Sequence, residues 1–154
     1  MRRKETPQGF DNVVAIDSQG RLVLPSYVRN DHGITSHNRA AFLHITIDET
    51  DRILAFTSNQ ALIDYARSMA RQAASVTEIE IIDFLNYDRV VVPIDTRFRI
   101  AIPEALRARA NLVDVARVIS CQGHVTIVHP TVARRQHENV RARLKKAKEV
   151  RMST

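Results

Sequence analysis

The most constraining feature of this chain is that it repeats itself. Residues 14 to 34, VAIDSQGRLVLPSYVRNDHGI, return at 92 to 112 as VPIDTRFRIAIPEALRARANL, displaced by 78 positions without a gap. Asp17, Arg21, Pro25 and Arg29 recur as Asp95, Arg99, Pro103 and Arg107, and apolar positions such as Leu22, Leu24 and Val28 match Ile100, Ile102 and Leu106. A unit that occurs twice in 154 residues, with no linker rich in Gly, Ser or Pro between the copies, implies one body with internal two-fold pseudosymmetry.

Each copy reads locally as strand, turn, strand, short helix. Val13 to Ile16 and Val90 to Ile94 are β-branched runs that favour strands. Asp17 and Asp95 suit turns, because a carboxylate accepts hydrogen bonds from backbone N–H groups one or two residues on. Gly20 supplies a positive φ before the chain returns as a strand over Arg21 to Leu24. Pro25 and Pro103 suit the start of a helix, where a missing N–H costs nothing. Each helix is expected to stop eight residues later, at Gly33 and Asn111, the two residue types that best tolerate a left-handed terminus. A hairpin follows each unit: Ala41 to Ile47 with Arg52 to Phe56 around the polar turn DETD, and Arg117 to Cys121 with Val125 to His129 around QGH. A helix then spans about Asn59 to Ala74, with Leu62, Tyr65, Ala66 and Met69 on one face, and another spans Thr131 to Val150. The stretch EIEIIDFL, 78 to 85, fits helix or strand.

Charge is distributed unevenly. The chain carries 23 Lys and Arg against 17 Asp and Glu, and positions 131 to 154 hold eight of the bases and two of the acids. The body is therefore neutral and the tail basic, with a smaller cluster at Arg2, Arg3 and Lys4. Such clusters attract phosphate backbones without regard to sequence. A solvated helical tail, or one packed on a neighbouring subunit through Val140 and Leu144, is the alternative. No stretch is apolar enough for a membrane helix, no apolar segment follows the basic start, and the single Cys121 forms no intramolecular disulfide, so a cytoplasmic chain is expected. Cys121 itself reads as a small buried residue.

The pattern IDxxGRLxLPxxxR in the first copy resembles the swapped-hairpin fold of AbrB-type regulators, and two copies in one chain resemble the MraZ family of transcriptional regulators. The resemblance covers about Gly9 to His129. The first motif, DSQGRLVLP, fits closely; in the second, DTRFRIAIP, Phe98 stands where the pattern has Gly, so that turn needs another geometry or a strained Phe98. The resemblance implies a mainly β fold with short helices: a duplicated swapped-hairpin β-barrel pseudo-dimer with a C-terminal basic helix. The resemblance leaves out the termini, which the residues themselves assign to a flexible start at 1–9 and a basic helical tail at 131–154, and it places the repeats at 13–75 and 90–130 in a single body at 10–130. It further implies a ring-like homo-oligomer that binds double-stranded DNA at short direct repeats and associates with the nucleoid, family members being regulators of transcription, repressors among them. Arg21 and Arg99 are then the DNA-contacting residues, assisted by Arg97, Arg2, Arg3 and Lys4 and supported by Asp17, Gly20, Asp95, Pro25 and Pro103.

Plainer readings stand beside these. Asp17 with Arg21, and Asp95 with Arg99, can simply pair across a turn, which is compatible with DNA contact because the aspartate then orients the arginine. Arg29 and Arg107 read as structural or interface charges, with phosphate contact the alternative. The six histidines lack the short paired spacings of zinc ligands. No nucleophile elbow, P-loop or Gly-rich dinucleotide fingerprint occurs, so no catalytic residue, cofactor, metal or small-molecule substrate is expected. An oligomeric interaction module that kept the fold without specific DNA binding is the second function class.

Overall fold

A computed structural model describes residues 13–35 and 42–152. The N-terminal cluster Arg2, Arg3 and Lys4, and the segment 1–9 read as flexible, lie outside the described residues. In chain order the elements are β1 (Val13–Ala15), β2 (Arg21–Val23), α1 (Ser26–Asp31), β3 (Phe42–Ile47), β4 (Ile53–Phe56), α2 (Asn59–Gln72), α3 (Glu78–Tyr87), β5 (Val90–Pro93), β6 (Arg99–Ala101), α4 (Glu104–Arg109), β7 (Val115–Cys121), β8 (His124–Val128) and α5 (Pro130–Met152).

The strands form two antiparallel sheets, one of six strands in the order β1-β7-β8-β4-β3-β5 and a two-stranded ribbon of β2 with β6. Four of the six pairings cross the repeat, the exceptions being the hairpins β3–β4 and β7–β8. β1 pairs with β7, β5 with β3, β4 with β8, and β2 with β6, so the strand that returns after each Asp turn does not pair with the one that entered it. The buried side chains of both halves, including Ile16, Leu22, Leu24, Ile94, Ile100 and Ile102, form a single cluster. A smaller cluster of Leu54, Phe56, Leu62 and Leu85 lies beneath α2 and α3.

Two expectations are corrected here. The fold is not mainly β with short helices: α2, α3 and α5 run for 14, 10 and 23 residues, making it a mixed α and β protein with a C-terminal helix. The six-stranded sheet is open, with β1 and β5 as its outer strands, rather than a closed barrel. The extra helix comes from the ambiguous stretch 78 to 85. Thr77 accepts the Glu80 backbone N–H while the Glu80 carboxylate accepts that of Thr77, a capping box that satisfies two otherwise orphaned donors. It starts α3, and the helix then packs its Leu85 against β4 and α2.

The short helices follow their sequence signals. Pro25 and Pro103 occupy the capping positions ahead of α1 and α4, one residue earlier than the first helical position. Gly33 (φ 68°) and Asn111 (φ 57°) are left-handed. The next N–H groups, of Ile34 and Leu112, each donate 2.8 Å back to Arg29 and Arg107 carbonyls and close both helices identically. Cys121 is half-buried rather than buried.

Candidate nucleic-acid interface

The two Asp-x-x-x-Arg segments adopt one geometry. Asp17 Oδ1 accepts the backbone N–H groups of Gln19 and Arg21, each at 2.9 Å, and its Oδ2 accepts Arg21 Nε at 2.8 Å. Asp95 does the same with Arg97 N, Arg99 N and Arg99 Nε, at 2.9, 2.8 and 2.7 Å. In both, the main chain also closes on itself: Asp17 N donates to the Arg21 carbonyl at 2.9 Å and Asp95 N to that of Arg99 at 3.1 Å. These donors hold both carboxyls below the usual carboxylate range, the Arg21 and Arg99 backbone N–H groups contributing most, and take Asp95 to about 2. The pairing of each aspartate with its arginine is therefore present, and it orients the guanidinium.

The fourth residue of each turn is left-handed. Gly20 has φ 77° and Phe98 has φ 60°, so Phe98 accepts the strained conformation and the turn keeps its geometry. Its support comes from the other half of the molecule. The Arg29 guanidinium lies 4.2 Å from the centre of the Phe98 ring, anchored by its Nε to the Leu24 carbonyl at 3.1 Å. Arg107, anchored to the Ile102 carbonyl at 2.9 Å, lies over Gly20 instead. A Cβ at Gly20 would come within 2.6 Å of Arg107 Nε, so close approach as well as positive φ requires glycine there. Arg29 and Arg107 are thus structural clamps, each holding down the opposite repeat's turn.

The β2–β6 ribbon brings the two motif arginines together. Arg21 stands opposite Ala101, Val23 opposite Arg99, and Leu22 opposite Ile100. Leu22 and Ile100 are 1% exposed and face the core, which by the two-residue alternation of strands puts Arg21, Val23, Arg99 and Ala101 on the outer face. Arg21 and Arg99 are therefore diagonal neighbours on one open face, roughly 7–8 Å apart by strand geometry. Arg97 is exposed at the tip of the second turn. A two-stranded ribbon with such a face is of a size to enter the major groove of a duplex, about 12 Å wide.

One copy of the motif escaped the sequence reading. The polar turn DETD, followed by Arg52, is a third instance: Asp48 Oδ1 accepts Thr50 N, Thr50 Oγ1 and Arg52 N at 2.9, 2.8 and 2.9 Å, and Oδ2 accepts Arg52 Nε at 3.0 Å. Asp51 takes the left-handed position with φ 61°. The Asp-to-Arg spacing of four was the signal that could have found it. Here Asp48 is 1% exposed and the turn joins two paired strands, β3 and β4. Among the described residues no group of three or more His, Cys, Asp or Glu side chains gathers as a cation site, and no helix is long and apolar enough to cross a membrane. Compared with known proteins, the chain matches no family model and no curated protein.

Proposed function

We propose that this chain is a sequence-specific duplex-DNA-binding regulator of the MraZ type, in which the two halves form a swapped-hairpin pseudo-dimer and several copies assemble into a ring. The observation that carries the reading is the β2–β6 ribbon, which sets Arg21 and Arg99 side by side on an open face, each braced by its own aspartate. Nε of each arginine is engaged by the carboxylate, which leaves the two terminal nitrogens as donors for guanine O6 and N7, a contact that discriminates by roughly 1–3 kcal/mol. The cross-repeat pairing of β1 with β7 and β3 with β5 supports the swapped-hairpin assignment. Self-association is supported by apolar residues near both edges of the sheet, Val13 of β1 with Val115 of β7 and Val91 of β5 with Phe42 of β3, all more than a third exposed. Two different patches that meet head to tail generate rings when the rotation closes.

The test is a binding titration on DNA upstream of the protein's own gene, with scrambled duplex as competitor, at two salt concentrations. Preference of about tenfold, or 1.4 kcal/mol, that survives the higher salt is the expected result. Arg21→Ala removes one such contact, so specific affinity drops by roughly 10- to 100-fold while assembly and fold are kept. An Arg21→Ala chain with unchanged affinity for its best site rejects the residue assignment.

A specific observation favours a second reading. The buried Asp48–Arg52 copy makes the same bonds within an ordinary hairpin, so this motif by itself builds turns. On that reading the chain is an oligomeric interaction module, and its binding to the two DNAs is equal and vanishes with salt.

A further inference from the structure

We propose that α5 of one copy docks into the groove between α2 and α3 of a second copy. The proposal rests on the reading that the chain self-associates, and not on DNA recognition. Helix α5 leaves the sheet after β8 and runs for 23 residues, about 34 Å at 1.5 Å per residue, with every residue from 134 to 152 exposed. Along it Val140 and Leu144, 44% and 58% exposed, lie one above the other on a face continued by Ala147. Beside them runs a basic row of Arg141, Lys145 and Lys148. Like charges three and four residues apart destabilise a solitary helix, so this one gains from an acidic, partly apolar receptor.

The same molecule carries such a receptor. The groove between α2 and α3 encloses about 540 Å³; Tyr65, Met69, Val76 and Phe84 form its walls, and Glu49 and Glu80 stand among its lining residues. Val76 and Phe84 are 40% and 48% exposed, an apolar surface left open. Asp64, Glu78 and Asp88 pair with Arg67 and Arg109, so the acidic character of the groove rests on its lining residues Glu49 and Glu80, whereas 130 to 152 has eight bases against two acids. Apolar stripe matches apolar wall and basic row matches acidic lining, the complementarity by which amphipathic helices enter grooves. The occupant is a second copy rather than the chain's own tail. In this chain α5 is one continuous helix exposed from 134 to 152 that contributes nothing to the lining of its own groove, and folding back into that groove would break it.

Light-scattering mass of the full chain, measured over a range of concentrations, tests this. Wild type is expected as a higher oligomer. Val140→Glu with Leu144→Glu on the helix, and separately Phe84→Asp in the groove, are each expected to lower the mass at equal concentration while far-UV circular dichroism and the melting curve stay near wild type. Arg141→Glu with Lys145→Glu is expected to do the same, and adding Glu49→Lys, which leaves the α3 cap intact, to that variant is expected to restore the mass. Unchanged mass in the helix variants overturns the docking while leaving self-association intact; a wild type that is monomeric throughout overturns both. Loss of mass that the paired reversal does not restore also overturns it. So does unchanged mass with a flattened salt dependence on random-sequence duplex, which assigns the helix to phosphates instead.

Discussion

Phe98 shows how one residue's conformation is settled by a side chain far away in sequence. A phenylalanine at φ 60° is disfavoured by its own sterics, yet the Asp95 turn closes as tightly as that of Asp17 because Arg29 stacks on the ring. The three aspartates of these turns differ in burial, and their replacement is expected to differ accordingly. Asp48→Ala empties a buried carboxylate site and takes the acceptor from the half-buried Arg52 as well as from Thr50, and is expected to cost about 3 kcal/mol, at the upper end for charge-assisted bonds. Asp17→Ala, whose donors reach water, is expected to cost clearly less; urea unfolding midpoints compare the two, and equal losses reject the burial argument. The lowered carboxyls also set an acid limit. A folded-state value of about 2 for Asp95, against the ordinary 3.8, means that its stabilisation is complete above about pH 5 and disappears as pH falls toward 2, and Asp17 acts in the same direction. Unfolding midpoints followed from pH 5 to 2 are expected to fall most steeply in that window, and Asp95→Asn is expected to make the fall shallower.

Among the elements, α3 is the one that local pattern left undecided. EIEIIDFL is rich in isoleucine and alternates well enough for a strand, but Thr77 and Glu80 form a reciprocal cap and Leu85 finds a buried place beside Phe56 and Leu62. The capping spacing Thr-x-x-Glu was visible in the sequence and, weighed against β propensity, identifies the helix. Thr77→Ala removes the side-chain half of the cap and is expected to lower stability by about 1 kcal/mol. Amide exchange adds a local signature, with faster exchange expected at Glu80 and Ile81 than in α2. Exchange that rises equally in both helices indicates that they unfold as one unit and that the cap sets no local boundary.

For the molecule as a whole, cross-repeat pairing makes the halves interdependent. β1 completes the edge beside β7 and β5 the edge beside β3, while both halves contribute to one apolar cluster. Chains of 1–88 and 89–154 expressed separately are therefore expected to lack stable tertiary structure, and the intact protein to unfold in one calorimetric transition. A half that melts cooperatively alone contradicts this. The distribution of charge acts at the same scale: a neutral body and a basic terminal helix give the molecule two unlike faces, the feature on which the proposed docking of α5 rests.

Read alone, the sequence determined whatever depends on neighbouring residues. The repeat at 78 positions, the Asp turns, and the left-handed stops at Gly33 and Asn111 are local, because a carboxylate reaches backbone donors two and four residues on and only certain residues tolerate positive φ. The recurrence of an arginine at 21 and 99 was legible for the same reason, whereas their candidacy for DNA contact came from the family resemblance. Tertiary structure alone decided which strand pairs with which, that the sheet stays open, that Arg29 and Arg107 clamp the opposite turns, and that Arg21 and Arg99 share a face. Strands expose the same backbone donors and acceptors whatever their sequence, so the choice of partner is made by burial of side chains from distant segments, and no local pattern records it.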